Sequence, residues 1–254
     1  MMPHVRHLDQ PPMMPLSPEQ LTGRACTHVQ QLPQGACRLH PLAGEAFLAL
    51  TAAAAHAGID LVAASSFRDF DHQLAIWNGK FHGERPLLDR DGAALDISTM
   101  DAESIVRAIL QWSALPGASR HHWGSEVDVF DRAALAAGAR PRLVPREYAA
   151  DGAFARLSAF LARDAARHGF FLPYDSERGG VQPEPWHLSF APLAAAALPA
   201  LTLPVLAAAL RDAPLAGAEV VQRLLPEIHE RYVCRVAPPP PAARAYSSSQ
   251  VFLK

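Results

Sequence analysis

The stretch SRHHWGSEVDVFD, residues 119–131, combines two adjacent histidines, a glycine and a short run in which polar and apolar residues alternate. Alternation over residues 126–130 is typical of a half-buried strand, and it places Asp128 on the polar face. Gly124 allows the backbone to turn between His121 and that strand. The stretch is therefore either a surface loop that carries these side chains by chance, or a segment that brings His121 and Asp128 together to hold a metal.

A second stretch, EPWH at residues 184–187, offers another histidine and another carboxylate. It lies in a segment, residues 180–190, that we predict to be a strand, and its prolines indicate an edge strand or an entry turn. In an extended chain an offset of three places Glu184 and His187 on opposite faces, so a bulge or a bent backbone must aim both inward. Two neutral imidazoles and one carboxylate form a three-ligand zinc site whose fourth position is open for water. The remaining carboxylate is then the base.

The chain contains 12 histidines, and most histidines in proteins are surface residues or hydrogen-bonded core residues rather than ligands. His121 alone would therefore be weak evidence for a metal. His121, Asp128 and His187 together favour a metal site over chance. His122 is the rival ligand, but adjacent residues in an extended chain point apart, so one of the two histidines faces away.

The rest of the chain indicates an α+β fold rather than a parallel α/β sheet. Apolar spacing of three and four, with capping residues and glycine stops, predicts helices at residues 42–56, 70–79, 101–115 and 152–169. Buried or alternating apolar runs predict strands at residues 59–65, 126–130 and 180–190. We expect residues 1–22 to be a flexible leader, 23–192 a globular domain that carries the candidate metal site, 193–236 a helical extension packed on it, and 237–254 a Pro-rich flexible tail.

Composition narrows the function class. A chain of 254 residues with 50% hydrophobic content can bury a sizeable core, and a formal net charge of −2 creates no field that would gather nucleic acid or an anionic membrane. No run is apolar enough to span a bilayer, and the N-terminal residues lack the apolar core of a signal peptide, so we expect a cytoplasmic protein. Cys26, Cys37 and Cys234 have no CxxC spacing, which argues against a thiolate zinc site and leaves a Cys26–Cys37 bridge open.

Three motifs in order resemble those of one enzyme family. SRHHWGSEVD resembles the SxHxxGxAxD motif of zinc D-Ala-D-Ala carboxypeptidases of the VanY type, and EPWH resembles their ExxH motif. SSFRDFDHQ, residues 65–73, resembles their S-x-[YF]-R-S-x-x-x-Q pattern. These enzymes belong with lysostaphin and hedgehog domains in the LAS group. The resemblance covers roughly residues 39–190 and implies a small antiparallel sheet that carries a zinc site and is flanked by helices.

The resemblance also implies a role for each matching position. The implied roles are ligands of one zinc ion for His121, Asp128 and His187, catalytic base for Glu184, and substrate binding for Arg68, Ser65, Gln73 and Ser119. Arg68 would grip the terminal carboxylate in bidentate fashion. The implied activity is removal of a D-amino acid from peptidoglycan stem peptides or muropeptides, which is expected in the cell envelope. An endopeptidase of the same group and a non-catalytic zinc-containing binding domain are the alternatives.

Two positions depart from the family patterns. Glu126 stands where the pattern has Ala, and because it shares a strand face with Asp128, a buried carboxylate there would alter the metal site. Asp69 stands where the pattern has Ser, and it can pair with Arg68 and weaken the hold of that arginine on an anion. Without the resemblance, Arg68 would be expected to form a surface ion pair with Asp69 or Asp71.

Overall fold

The computed structural model describes residues 14–33 and 37–244. Within these ranges the strands are β1 (Gln30–Gln31), β2 (Arg38–Leu39), β3 (Leu61–Ser65), β4 (Glu126–Asp131), β5 (Phe170–Phe171) and β6 (His187–Phe190). The helices are α1 (Pro18–Leu21), α2 (Pro41–His56), α3 (Phe70–Phe81), α4 (Ala102–Trp112), α5 (Ala155–Asp164), α6 (Ala191–Ala200), α7 (Leu203–Leu210), α8 (Ala218–Ile228) and α9 (Pro241–Arg244). This arrangement confirms the predicted α+β class.

The main sheet has the order β3-β4-β6-β5, and every neighbouring pair is antiparallel. Asp128 of β4 lies opposite His187 of β6, and Glu126 lies opposite Ser189. The pairing of β3 with β4 shifts between Ala63 and Ser65, where the strand is irregular. The register therefore places Asp128 and His187 side by side in the centre of the sheet.

The strand predicted over residues 180–190 is wrong in length and in position. Only His187–Phe190 pairs, and this strand is central rather than at an edge, because β4 and β5 flank it. Pro183 and Pro185 have no N–H to donate, so the segment before His187 cannot continue a central ladder. Pro183 and Pro185 instead lie in the segment that leads into β6, which agrees with the entry turn that the sequence offered as the alternative to an edge strand.

Both faces of the sheet are covered. Val127 and Val129 of β4 pack in one core with α2 and α5, whereas Glu126 and Asp128 face the opposite side and are also buried. A second core, which includes Trp77 of α3, forms among α3, α4 and the C-terminal helices. β4 is thus enclosed rather than half-buried as its alternation indicated, and its two carboxylates lie inside the protein.

Parts of the segments predicted to be a flexible leader and tail are packed in the structure. Ser17 caps α1, Leu21 is buried, and Trp123 Nε1 donates to the Leu21 carbonyl over 3.2 Å, so the chain is packed before residue 22. At the other end, Ala237 donates its N–H to the Pro173 carbonyl over 2.9 Å. Residues 1–13 and 245–254 lie outside the described residues.

Two further expectations concern membrane spans and disulfides. Across residues 14–33 and 37–244, length and hydropathy give no single helix that could cross a membrane, and α6 with α7 reaches the required values only as a pair bent by 79°. The three cysteines are free: Cys37 is buried, and Cys26 and Cys234 are exposed. The Cys26–Cys37 bridge that the sequence left open is not formed.

Candidate metal centre and its cavity

Three side chains from separate elements converge on one point. His121 lies in a 3₁₀ turn before β4, Asp128 lies in the middle of β4, and His187 is the first residue of β6. His121 Nε2 is 3.3 Å from Asp128 Oδ2, and His187 Nδ1 is 3.0 Å from Asp128 Oδ1. One ligand atom from each residue lies within 4.8 Å of the others, so the three side chains can hold one metal ion.

Gly124 makes the reversal between His121 and the strand. Its φ of 68° and ψ of 13° are in the left-handed region, which favours glycine. A Cβ at this position would lie 2.5 Å from Val29 Cγ1 and 2.9 Å from the backbone nitrogen of His40. The turn that aims His121 toward Asp128 therefore requires both the backbone freedom and the small size of glycine.

Hydrogen bonds on the outer sides of the two rings define which nitrogen is free. His121 Nδ1 lies 2.8 Å from the Ser66 carbonyl, so it must carry the proton and donate, and the Nε2 lone pair faces Asp128. His187 has the reverse arrangement, because its Nε2 lies 2.8 Å from Glu126 Oε2 and its Nδ1 faces Asp128. Each imidazole thus offers a lone pair to the common point.

The donor set fits a zinc ion. Asp128 Oδ1 is buried and accepts no hydrogen bond from any residue in the described ranges, although His187 Nδ1 lies 3.0 Å away. Two imidazole nitrogens and one carboxylate oxygen are the donors that zinc takes in three-ligand sites. A cation among them would satisfy the orphaned oxygen.

His122, the rival ligand, faces the other way. Its Nε2 lies 3.2 Å from the Gly117 N–H and accepts from it, so Nδ1 carries the proton and donates to the Arg68 carbonyl over 2.7 Å. Burial lowers the pKa of His122 to about 3, which keeps the ring neutral. Both nitrogens are engaged with backbone groups, so His122 is unavailable to a metal.

A tight turn places Glu184 beside the ligands. The His187 N–H donates to the Glu184 carbonyl over 3.1 Å, with Pro185 and Trp186 in between, so an offset of three brings the two side chains together. Glu184 Oε2 lies 3.4 Å from His187 Nδ1. The pKa of Glu184 is raised to about 7, mainly by burial; the charge of His187 opposes this shift and that of Asp128 adds to it.

Arg68 lies at the edge of the same site. Its NH1 donates to Gln73 Oε1 over 2.9 Å, and its NH2 lies 3.5 Å from Asp128 Oδ2. Gln73 is fully buried and donates in turn to the Ala114 carbonyl over 2.8 Å. Gln73 therefore orients the guanidinium, and the substrate contact that the resemblance implied for Gln73 stays a prediction.

The expected surface ion pairs of Arg68 are not the ones observed. Asp69 is the N-cap of α3 and accepts from the His72 N–H over 2.8 Å, a function that Ser at this position would also serve. Asp71 instead lies 3.9 Å from Arg24. Neither carboxylate competes for the Arg68 side chain.

A cavity of about 260 Å³ opens over the site, and its lining includes Arg68, Ser119, Glu184 and the three candidate ligands. Of the residues that the structure describes, Ser65 is not among those that line it, and Ser65 instead lines a separate cavity beside β3. The irregular β3–β4 pairing at this position gives the Ser66 carbonyl, rather than the Ser65 side chain, to the site. The Ser65 side chain therefore lies outside the cavity over the metal site, and the substrate contact that the resemblance implied for it stays a prediction.

The cavity is also lined by residues to which the motifs assign no role. Tyr174 is buried, with its ring centroid 5.1 Å from that of His187, whereas a turn residue of this kind is usually exposed. Lys80, in the last turn of α3, lines the cavity, and burial lowers its pKa to about 8. Trp186 stacks on Trp112 at the cavity wall, with centroids 6.4 Å apart. Because these contacts are between residues that are far apart in the sequence, local sequence patterns do not predict them.

Comparison with known proteins gives a family and several relatives. The sequence model of the VanY family, described as D-alanyl-D-alanine carboxypeptidase, matches residues 36–193. An uncharacterised protein of Haemophilus influenzae is 48% identical over 105 residues, which cover 40% of this chain and 72% of that protein. A second uncharacterised protein of the same organism is 37% identical over 121 residues, which cover 47% of this chain and 92% of that protein.

Solved structures with similarity to this chain include VanYB in complex with D-Alanine-D-Alanine, with a TM-score of 0.49 and 21% identity. That likeness covers 68% of this chain and 82% of the other. The LdcB LD-carboxypeptidase has a TM-score of 0.45 and 20% identity, over 76% of this chain and 72% of the other.

Proposed function

Because the chain belongs to the VanY D-alanyl-D-alanine carboxypeptidase family, we propose that it is a zinc-dependent carboxypeptidase that removes the terminal D-amino acid from peptidoglycan stem peptides. The observation that carries the proposal is the position of Glu184, whose Oε2 lies 3.4 Å from Nδ1 of the candidate ligand His187. A carboxylate at this distance from a three-ligand site can act on a water held there. A site that only stabilised the fold would not need it.

The chemistry divides between the metal and the protein. A zinc ion bound by His121, Asp128 and His187 would leave one position open and would polarise the scissile carbonyl. Glu184 takes a proton from the attacking water and delivers it to the leaving amine. Its raised pKa, about 7, suits both steps near neutral pH.

Arg68 supplies the recognition of a chain end. In a substrate that loses a single residue, the terminal carboxylate is only three bonds from the scissile carbonyl carbon, so its partner must lie close to the metal. The Arg68 guanidinium is 3.5 Å from Asp128 Oδ2 and lines the cavity, which meets that requirement. Lys80 adds a second positive charge to the same cavity, and Ser119 adds a hydroxyl. A planar guanidinium can grip a carboxylate with two parallel hydrogen bonds.

Two alternatives to a carboxypeptidase predict either different products or no product. An endopeptidase of the same group would cut within the peptide and would not need a cation beside the metal. A non-catalytic zinc-containing domain would not need Glu184. Stem peptides and the muropeptides released from the wall present the same carboxyl end, so the proposal applies to both, in the envelope or in the cytoplasm.

The decisive experiment is to incubate zinc-loaded protein with pentapeptide and tetrapeptide stems and to weigh the products by mass spectrometry. Loss of one terminal residue from the pentapeptide indicates D,D specificity, and loss from the tetrapeptide indicates L,D specificity. Internal cleavage would identify an endopeptidase. Intact peptides with zinc-loaded wild-type protein would overturn the enzymatic proposal, and Glu184→Gln serves as the inactive control.

A further inference from the structure

Glu126, the residue that departs from the family pattern, contacts a candidate ligand directly. It is fully buried, and its Oε2 accepts a hydrogen bond from His187 Nε2 over 2.8 Å. Nε2 is the ring nitrogen that points away from Asp128, because Nδ1 is the one that lies 3.0 Å from Asp128 Oδ1. Glu126 therefore lies behind the ring and cannot serve as the base, which must face the water.

Strand geometry explains why one ring has two carboxylate neighbours. Glu126 and Asp128 are two residues apart on β4, so their side chains share a face. Asp128 is directly opposite His187, and Glu126 is opposite Ser189 in the next position of β6. The His187 ring thus lies between the two carboxylates, with one at each nitrogen.

The charge of Glu126 is neutralised within the protein. Arg120 Nε lies 3.3 Å from Glu126 Oε2, and Arg120 NH2 lies 3.3 Å from Oε1. The Ser125 hydroxyl donates to Oε1 over 2.7 Å, and the Ser189 hydroxyl donates to it over 2.8 Å. A buried carboxylate with this many donors remains ionised and fixed in place.

Arg120 is itself held from several sides. It is buried, its guanidinium lies 4.6 Å from the centre of the Trp123 ring, and its NH2 donates to Ser189 Oγ over 2.6 Å. The network therefore connects the 3₁₀ turn that carries His121 with the strand that carries His187. These contacts restrain the side chains of Arg120 and Glu126.

We propose that Glu126 is a positioning residue that fixes the Nε2–H tautomer and the orientation of His187, so that Nδ1 faces the metal, while Arg120 balances its charge. The inference rests on the proposed metal site and adds a residue to it. A carboxylate that accepts a hydrogen bond from a metal-binding histidine orients the ring and raises the basicity of the nitrogen that binds the metal. Loss of such a partner typically weakens metal affinity 10- to 100-fold.

The test compares zinc affinity in wild type and Glu126→Gln by competition with a chromophoric chelator. We expect Glu126→Gln to bind zinc roughly 10- to 100-fold more weakly with an unchanged circular dichroism spectrum. Asp131→Asn is the matched control, because Asp131 is a buried carboxylate on the same strand that accepts from the backbone of Asp60 and Ala133. Its zinc affinity should stay within about threefold of wild type, far less than the loss that a ligand partner produces.

Two further measurements keep the inference falsifiable. Glu126→Gln leaves Arg120 without its partner, so the double variant Arg120→Gln with Glu126→Gln, which removes both charges, should show the same loss of affinity if the single variant does not fold. In ¹⁵N-edited spectra of the zinc-loaded protein, the His187 Nε2–H proton should resonate downfield in wild type and shift upfield in Glu126→Gln. A purely structural role would not move this resonance.

The outcomes separate this inference from the proposed function. Wild-type zinc affinity in both Glu126 variants, with an unshifted His187 resonance, would overturn the positioning role. Wild-type protein that binds zinc but leaves stem peptides intact would overturn the carboxypeptidase proposal alone, and the comparison of affinities would still decide on Glu126.

Discussion

The rings of His121 and His187 meet edge to face, with centroids 4.9 Å apart and planes at 85°, and they present different nitrogens to the same point. His121 offers Nε2 because Ser66 engages its Nδ1, and His187 offers Nδ1 because Glu126 engages its Nε2. Both ring orientations are therefore set by the protein. A metal would enter a site that is already arranged.

Removing either histidine should remove the metal. His121→Ala and His187→Ala each leave two ligands, and we expect both variants to lose bound zinc, against about one ion per chain in wild type. Metal content after dialysis, measured by atomic emission, checks this. His122→Ala should keep its zinc, because both His122 nitrogens bind backbone groups. Full zinc content in both ligand variants would contradict the assignment.

Replacing the base should separate catalysis from metal binding. Glu184→Gln preserves the shape of the side chain but removes the proton acceptor, so turnover should fall at least ~100-fold while zinc content stays at the wild-type level. Steady-state hydrolysis of a stem peptide and metal analysis of the same sample give both numbers. Near-normal turnover would place the base elsewhere.

Arg68 should matter only for substrates with a free carboxyl end. Arg68→Ala should lower kcat/KM for the free peptide roughly 30- to 1,000-fold, which corresponds to about 2–4 kcal/mol of a charge-assisted pair. Amidation of the substrate should cost wild type a similar factor, and the two losses should not add, because each removes the same interaction. Equal cleavage of free and amidated peptides by wild type would instead identify an endopeptidase.

The turn at Gly124 should tolerate no side chain. Gly124→Ala should lower the free energy of unfolding by more than the ~1–2 kcal/mol that the left-handed conformation costs a non-glycine residue, because the added Cβ also meets Val29 and His40. Gly138→Ala is the control, since Gly138 has a φ of 80° with open space around it. Urea unfolding measures both variants. Equal losses in the two would show that crowding at Gly124 contributes nothing.

Stability should fall in mild acid, partly through His40. Its Nδ1 accepts from the Leu42 N–H at the start of α2, and burial, with the charge of His28, lowers the pKa of His40 from 6.5 to about 4. Between these values the unfolded chain binds more protons than the folded one, so the free energy of unfolding decreases as the pH falls from about 6.5 to 4.

We expect the contribution of His40 to be on the order of 1–2 kcal/mol. His40→Asn retains a capping side chain but does not titrate, so its stability should fall less over this range. Urea unfolding of metal-free protein at pH 7 and pH 4.5 avoids any contribution from metal release. An identical decrease in His40→Asn would rule out this role.

The chemistry of the site could be predicted from local patterns, but its geometry could not. Residue types and spacing favoured a metal site, and the resemblance of three motifs to one family was enough to propose His121, Asp128, His187 and Glu184 together. The relation of Asp128 to His187 depends on the order β3-β4-β6-β5, which joins strands about 60 residues apart and has no local signature.

The contacts that the sequence did not indicate have the same origin. Alternation placed Glu126 beside Asp128 correctly, yet its partner His187 comes from another strand. At the end of β3, where the pairing with β4 is irregular, the Ser66 carbonyl contacts His121, and the pattern around Ser65 did not indicate this contact. Lys80 lies in α3, and the side of α3 that faces the cavity depends on segments that are distant in the sequence.

The C-terminal segment, residues 231–237, contacts the loop that leads to Glu184. Arg231 Nε donates to the Gly179 carbonyl over 2.9 Å, Ala237 donates to the Pro173 carbonyl over 2.9 Å, and Gly180 has no room for a Cβ because the Arg231 carbonyl packs against it. The family match nevertheless ends at residue 193. The helices after residue 193 therefore support the loop that leads to the base, and exchanging them for other helices would change that support.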